Sequence, residues 1–126
     1  MSGLRRILHV DDVPAIQLVT RLTLERVGGF EVLSCASGEE ALAQLATFQP
    51  DLVLLDAMLP GMDGAELLAR LAERLDLRQV PVVFLTGALD EGRRRALLAQ
   101  GAREVLGKPF DPLQLSARLA AIWAAR

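Results

Sequence analysis

Five polar residues stand at the ends of apolar segments in this sequence. Asp11 and Asp12 follow the segment RILHV, and Asp56 follows LVLL. Thr86 ends the segment VVFLT, and Lys108 follows REVLG. If these segments are parallel strands of one sheet, their carboxyl ends meet at one edge, and we expect the five side chains to share a site there.

The residue types at this edge indicate phosphoryl chemistry. Three carboxylates that lie close together repel one another, and a bound cation is the simplest way to relieve that repulsion. Oxygen ligands without thiolates favour Mg²⁺, which retains water and pairs with phosphate oxygens. A hydroxyl and an ammonium beside the ion could hold the other oxygens of a phosphoryl group.

Five predicted strands alternate with five predicted helices along the chain. The strands are RILHV, FEVLSCA, DLVLLD, VPVVFLT and REVLG. Helix starts are predicted from proline in a first turn or from a capping residue, namely Pro14, Ser37 with Glu40, Asp63, and Asp111 with Pro112. The third helix is predicted to span DGAELLARLAERL, and the fourth to span DEGRRRALLAQG.

The first, third and fourth strands are nearly continuous apolar runs, which indicates a parallel sheet covered by helices on both faces. We therefore predict an α/β fold with a doubly wound, five-stranded parallel sheet, flavodoxin-like, of strand order 2-1-3-4-5. Its ligand crevice lies at the carboxyl ends of strands one and three, where the strand order reverses.

The composition is that of one globular domain, and we expect a single domain over residues 1–126. Hydrophobic residues make up 52% and charged residues 24%, with a net charge of −2. These values exclude disorder and give no general attraction to nucleic acid or an anionic membrane. One cysteine, no membrane-length apolar run and no signal sequence favour a cytoplasmic location.

The sequence resembles the receiver domain of bacterial two-component response regulators from about Arg6 to Ala121. The motifs that carry the resemblance are VDD at 10–12, LLDAMLPGMDG at 54–64, FLTG at 84–87 and GKPF at 107–110. Each motif is weak alone, but four in this order on the predicted strand ends are specific.

The resemblance implies that Asp56 is the phosphoacceptor and forms an aspartyl phosphate. Asp12, Asp56 and the backbone carbonyl of Met58 would ligate Mg²⁺, and Asp11 would act on the ion through water. Lys108 would pair with the phosphoryl group. An in-line attack by a carboxylate needs charge neutralisation and positioning more than proton transfer, which agrees with these roles.

The resemblance also implies that Thr86 binds the phosphoryl group after transfer and that the bond before Pro109 is cis. The chain departs from the family pattern at Val105, where many receivers carry an aromatic ring that moves inwards. We expect a muted contribution from this position, so the switch should involve the loop after strand four and the fourth helix. Met58 and Ala88 stand where receivers position the attacking water, and neither offers a strong hydrogen bond, so we expect slow dephosphorylation.

The leading hypothesis is a receiver that takes a phosphoryl group from a histidine kinase or a histidine phosphotransfer protein and signals by contact with a downstream protein. It would not turn over a substrate, and it would contact neither nucleic acid nor membrane. The alternative is a small Mg²⁺-dependent phosphohydrolase with an aspartyl nucleophile, but no second acid follows Asp56 closely. A nucleotide-binding module is disfavoured because the turn VDDVPAI lacks glycines.

Several other residues have structural interpretations. Asp11 and Asp12 could cap the first helix, and His9 is expected in the core. Cys35 is expected to be an inert strand-end residue. The run of arginines at 93–95 is either a solvated helix face or a docking patch for an acidic partner, and Trp123 serves either packing or an interface.

Overall fold

The computed structural model describes residues 3–59, 61–87 and 90–126, and within these ranges the predicted alternation of strands and helices is confirmed. The strands are β1 Arg6–Val10, β2 Glu31–Cys35, β3 Leu52–Leu55, β4 Val82–Thr86 and β5 Glu104–Gly107. The helices are α1 Pro14–Arg26, α2 Gly38–Phe48, α3 Gly64–Ala72, α4 Glu91–Gln100 and α5 Pro112–Ala124.

The strands form one sheet in the order β2-β1-β3-β4-β5, and every neighbouring pair is parallel, as predicted. Val10 stands opposite Leu55 in the register of β1 and β3. Thr86 stands opposite Gly107 in the register of β4 and β5. The residues that follow these strands therefore leave the sheet at the same edge.

Two apolar cores cover the two faces of the sheet. Leu8, Val53 and Phe84 lie in the first core together with leucines from α2, α3 and α4. Ile7 and Leu54 lie in the second core together with leucines from α1 and α5. Because alternate residues of the central strands enter opposite cores, these strands are largely apolar on both faces.

Helix caps were predicted well, and one helix end was not. The Ser37 hydroxyl accepts a hydrogen bond from the N–H of Glu40 at 3.1 Å, and Asp63 caps α3. However, α3 ends at Ala72 rather than at the predicted Leu75, because its last turn tightens: the N–H of Arg74 bonds to the carbonyl of Leu71, three residues back, at 3.0 Å. In the described ranges, no helix has the length and apolar character needed to span a bilayer.

Candidate functional site

Three carboxylates meet at the carboxyl edge of the sheet. One oxygen from each of Asp11, Asp12 and Asp56 lies within 4.8 Å of the others. Asp11 is buried, whereas Asp12 and Asp56 are partly exposed. The parallel register of β1 and β3 causes this meeting, and the N–H of Asp56 also bonds to the Val10 carbonyl at 3.0 Å. The sequence prediction that these three acids share a site agrees with this geometry.

Asp11 is held by the backbone that leads into α1, and it does not cap that helix. Its Oδ1 accepts the N–H of Val13 at 2.9 Å, and its carbonyl accepts the amide of Gln17 at 2.9 Å. The residue at the N-cap of α1 is Val13, and no side chain bonds there. The capping interpretation of Asp11 and Asp12 is therefore wrong, because the N-cap position of α1 falls one residue beyond the acidic pair and α1 begins at Pro14.

Lys108 places its ammonium between two of the carboxylates. Its Nζ lies 3.1 Å from Oδ2 of Asp56 and 3.3 Å from Oδ2 of Asp11. Burial alone would lower the pKa of Lys108, but the hydrogen bonds and charges of Asp56 and Asp11 outweigh it and raise that pKa. The peptide bond between Lys108 and Pro109 is cis, as predicted.

Thr86 and Val105 lie beside this edge on β4 and β5. Thr86 is buried at the end of β4, and its carbonyl accepts the N–H of Lys108 at 2.8 Å. Val105 is also buried, and both residues line a small niche under α4. The structure thus places Thr86, the predicted phosphoryl-binding residue, and Val105, the predicted switch position, beside the acidic edge. Ala88 lies outside the described residues.

The loop after β3 carries the phosphoacceptor candidate and is closely packed. Oδ1 of Asp56 accepts the N–H of Met58 at 2.9 Å, and the Met58 side chain is 59% exposed. The Ala57 carbonyl accepts the N–H of Gly64 at 3.2 Å. A Cβ atom at Gly64 would lie 2.9 Å from the Cα of Ala57, so only glycine permits α3 to begin this close to the loop.

Arg93 of α4 also reaches this loop, which the sequence did not predict. Its Nη2 donates to the Ala57 carbonyl at 3.2 Å. Arg93 and Asp12 line one open cavity of about 480 Å³, together with Met58 and Asp63. A contact between residues 36 positions apart leaves no local pattern, so the run of three arginines suggested only a solvated helix face or a docking patch.

The remaining arginines of that run form ion pairs in the structure. Arg94 contacts Glu104 at 3.1 Å, and Arg95 contacts Glu91 at 3.5 Å. Trp123 is partly buried, and the guanidinium of Arg126 lies 3.7 Å from the centre of its ring. Trp123 therefore packs against the second core, and its use in an interface stays a prediction.

His9 and Cys35 are core residues, as expected. Burial lowers the pKa of His9 to about 4, so the ring is neutral at physiological pH, and its Nδ1 lies 3.4 Å from the Ser34 hydroxyl. Burial, with a smaller effect of Glu40, raises the pKa of the Cys35 thiol to about 12. A thiol with that pKa is not an activated nucleophile.

The acidic cluster has the composition that suits a divalent metal ion. Its three carboxylates offer only oxygen atoms, which are the donors that Mg²⁺ prefers. The single ammonium of Lys108 cannot balance three negative charges, which leaves an excess that a divalent cation would neutralise. The residues present therefore fit the predicted metal.

Comparison with known proteins identifies the family. Residues 7–120 match the response regulator receiver domain family. The chain belongs to this family, whose members are signalling domains of two-component systems. The resemblance inferred from the four sequence motifs is thereby confirmed.

The curated relatives are longer than this chain. It is 40% identical over 119 residues to the phosphate regulon transcriptional regulatory protein PhoB of Rhizobium meliloti. It is 38% identical over 118 residues to the alkaline phosphatase synthesis transcriptional regulatory protein PhoP of Bacillus subtilis. Each match covers 94% of this chain, and the chain spans about half the length of these relatives, 52% and 48%.

Solved structures of receivers superpose over nearly the whole chain. A putative response regulator from Chloroflexus aurantiacus is 36% identical, with a TM-score of 0.86, over 96% of this chain and 98% of that one. A response regulator receiver domain protein from Clostridium thermocellum is 27% identical, with a TM-score of 0.86, over 97% and 96%. The flavodoxin-like receiver fold is thus shared along the full length of those chains.

Proposed function

We propose that this receiver accepts a phosphoryl group on Asp56 from a histidine kinase or a histidine phosphotransfer protein, with Mg²⁺ as cofactor. The observation that carries the proposal is the arrangement of three carboxylates within 4.8 Å of one another, with the Lys108 ammonium 3.1 Å from Asp56. Asp11, Asp12, Asp56 and the Met58 carbonyl would hold the ion. The ion, when bound, supplies charge neutralisation for the incoming phosphoryl group.

The residues of this chain have complementary roles in such a transfer. An oxygen of the Asp56 carboxylate forms a bond to phosphorus as the bond between phosphorus and the donor nitrogen breaks. Asp56 and Asp11 already hold the ammonium of Lys108 in place. The ammonium therefore does not have to move when negative charge develops on the phosphoryl group. Thr86, at the end of β4, would bind the transferred group.

The same site gives little support to a turnover phosphohydrolase. Such an enzyme needs an acid or base beside the nucleophile. Asp63 lines the adjoining cavity, but its carboxylate accepts the N–H of Glu66 at 2.9 Å and caps α3. Met58, which is closer to Asp56 in the chain, has no ionisable group. We therefore expect one transfer followed by slow loss of the phosphoryl group.

We further propose that output proceeds through contact with a downstream protein. The named relatives are transcriptional regulators, and this chain matches about half of each. The receiver identity of the matched part supports signalling through a protein surface rather than direct contact with DNA. A cytoplasmic location and a single-domain organisation over residues 1–126 remain predictions from the sequence.

Labelling with a small phosphodonor tests the acceptor. We expect acetyl phosphate with Mg²⁺ to add one phosphoryl group to the wild type and none to Asp56→Asn, measured by intact mass and peptide mapping. Asp76→Asn removes an exposed carboxylate that pairs with Arg78, and this control should label normally. Full labelling of Asp56→Asn would overturn the assignment.

Metal dependence is tested separately. We expect labelling to stop in excess EDTA and to fall strongly in Asp12→Ala at the same Mg²⁺ concentration, because the carboxylate that is lost is one of the proposed ligands. Circular dichroism of Asp12→Ala checks that the variant is folded. Undiminished labelling under both conditions would contradict the proposed cation site.

A further inference from the structure

The guanidinium of Arg93 lies beside the proposed phosphorylation site and has no part in the mechanism above. It comes from the first turns of α4 and donates through Nη2 to the Ala57 carbonyl, 3.2 Å away. Ala57 directly follows Asp56 in the chain. This single bond ties α4 to the backbone of the loop that carries the phosphoacceptor candidate.

Arg93 faces the acidic cluster through an open cavity. The cavity of about 480 Å³ is lined by Arg93 and by Asp12, one of the three clustered carboxylates. The hydrogen bond to Ala57 uses one of the five N–H donors that a guanidinium carries. The side chain as a whole is exposed, so it can reorient without burying a charge.

Phosphorylation creates a need for another cation. With the proposed divalent ion bound, the formal charges of the three carboxylates, the Lys108 ammonium and the ion would sum to zero. An aspartyl phosphate carries one more negative charge than the aspartate it replaces. Lys108 is already engaged with two carboxylates, whereas Arg93 is the cationic side chain on the wall of the adjoining cavity.

The same arginine also borders the niche beside the switch position. Thr86, Val105 and Arg93 line this niche together with Ala57. Val105 has no ring that could transmit a change at Thr86 to α4. Arg93 belongs to α4 and already contacts the phosphoacceptor loop, so it offers a direct connection between the two.

We propose that Arg93 is the second cationic contact of the phosphoryl group and links it to α4. This inference rests on the proposed phosphorylation of Asp56. On phosphorylation, the guanidinium leaves the Ala57 carbonyl, donates to a phosphoryl oxygen and draws the first turn of α4 towards the site. A charge-assisted bond to a phosphoryl oxygen is stronger than a bond to a neutral carbonyl. The guanidinium is therefore expected to prefer the phosphoryl oxygen to the Ala57 carbonyl.

Binding of beryllofluoride, a mimic of the phosphoryl group, tests this contact in the presence of Mg²⁺. We expect Arg93→Gln to bind about tenfold more weakly than the wild type, measured by fluorine NMR or calorimetry. Arg93→Lys should be intermediate, because it keeps the charge but loses the planar fork. The matched control is Arg95→Gln, which removes a charge of α4 that pairs with Glu91, and its affinity should stay within about twofold.

Amide exchange gives a second readout. Beryllofluoride should change the exchange of the first turns of α4 in the wild type, and this change should be lost in Arg93→Gln at a saturating concentration. Equal affinity and equal exchange in wild type and Arg93→Gln would overturn the role of Arg93 and leave the proposed function intact. An equal loss in Arg95→Gln would also overturn it, since any charge on α4 would then suffice.

The proposed function itself fails by a different result. If the wild type binds no beryllofluoride and acetyl phosphate does not label Asp56, the site is not a phosphoryl acceptor, and the inference about Arg93 falls with it. The wild-type measurements therefore separate a failure of the site from a failure of this one contact.

Discussion

Lys108 shows how a charged cluster is maintained at the edge of an apolar sheet. Only 17% of its side chain is exposed, and it contacts the carboxylates of Asp11 and Asp56, which are also largely buried. Charges removed from water are tolerated when they are paired and hydrogen-bonded. Asp11 gains a further bond from the N–H of Val13. The cationic group is thus in position before any phosphoryl group arrives.

Met58 is expected to control how long the phosphoryl group stays on Asp56. Its side chain is exposed, lies on the cavity with Asp12 and offers water only a weakly accepting sulfur. Asparagine at this position can orient an attacking water. We predict that Met58→Asn lowers the barrier to dephosphorylation by ~1–2 kcal/mol, about five- to thirtyfold in rate. The decay of phosphoprotein after removal of the donor measures the effect.

The apolar variant Met58→Leu is the matched control for this experiment, because it keeps a side chain of similar volume without a hydrogen-bonding group. Its decay should match that of the wild type. If Met58→Leu decays as fast as Met58→Asn, steric access rather than the orientation of water sets the lifetime. An unchanged rate in Met58→Asn would contradict the role of this position.

The residues of the site differ in how well the sequence predicted them. Asp11, Asp56 and Lys108 were predicted because each follows a strand, and the edge to which a parallel strand delivers its next residue is fixed by topology. Arg93 was missed because its contact with Ala57 depends on where α4 packs, which no local spacing encodes. A helical arginine is usually solvated, so its residue type gave no signal.

The carboxylate of Glu104 connects α4, β5 and α5 through ion pairs. It lies on β5 and contacts Arg94 of α4 at 3.1 Å and Arg118 of α5 at 3.2 Å. It also accepts the N–H of Val105 at 3.0 Å. Partial burial acts to raise the pKa of Glu104, but these bonds outweigh it, and the pKa is lowered. The carboxylate therefore stabilises the folded arrangement of α4, β5 and α5.

We predict that Glu104→Gln lowers the free energy of unfolding by about 1 kcal/mol at pH 7. The pKa of Glu104 in the folded state lies below its value of about 4.3 in the unfolded state. The stabilisation by its carboxylate is therefore fully present above about pH 4.3. It is lost as the pH falls through the folded-state pKa. Urea titrations at several pH values should show the gap between wild type and variant closing in acid.

The control for this prediction is Glu73→Gln, which changes an exposed carboxylate at the end of α3. The free energy of unfolding of this variant should stay within about 0.5 kcal/mol of the wild type at both pH 7 and pH 3. A gap for Glu104→Gln that persists unchanged at pH 3 would show that lost packing, and not the charge, causes the destabilisation.

Strands and helices were predictable from the sequence where the local residue pattern and the packing of the whole fold favour the same structure. Strands β1, β3 and β4 were recognised because burial on both faces requires a nearly continuous run of apolar residues. The end of α3 was not, since Glu73, Arg74 and Leu75 are compatible with a helix, and only the turn after Ala72 stops it. Tertiary geometry overrides propensity at such an end.

At the scale of the whole molecule, the acidic site lies between a sheet that is buried on both faces and helix α4, which is buried through few residues. Two apolar cores hold the central strands from both faces. By contrast, α4 has one buried residue, Leu97, and one partly buried leucine, Leu98, against the first core. It is also held by ion pairs and by the hydrogen bond from Arg93. An element with few buried apolar contacts is the one that a local change in charge can shift.

We therefore predict that a phosphoryl mimic changes amide exchange mainly in residues 86–110 and in the facing turns of α5. Beryllofluoride with Mg²⁺ should alter exchange there, because the added negative charge attracts the cationic groups of α4 and the Lys108 ammonium after β5. Helix α2 shares the first core with α4 but packs against β1, β2 and α3, and it should serve as an unchanged internal reference. The variant Asp56→Asn, given the same additions, should show no change anywhere. A wild type that binds the mimic without any change in residues 86–110 would be a passive phosphoryl store, since its surface would offer a partner nothing by which to distinguish the two states.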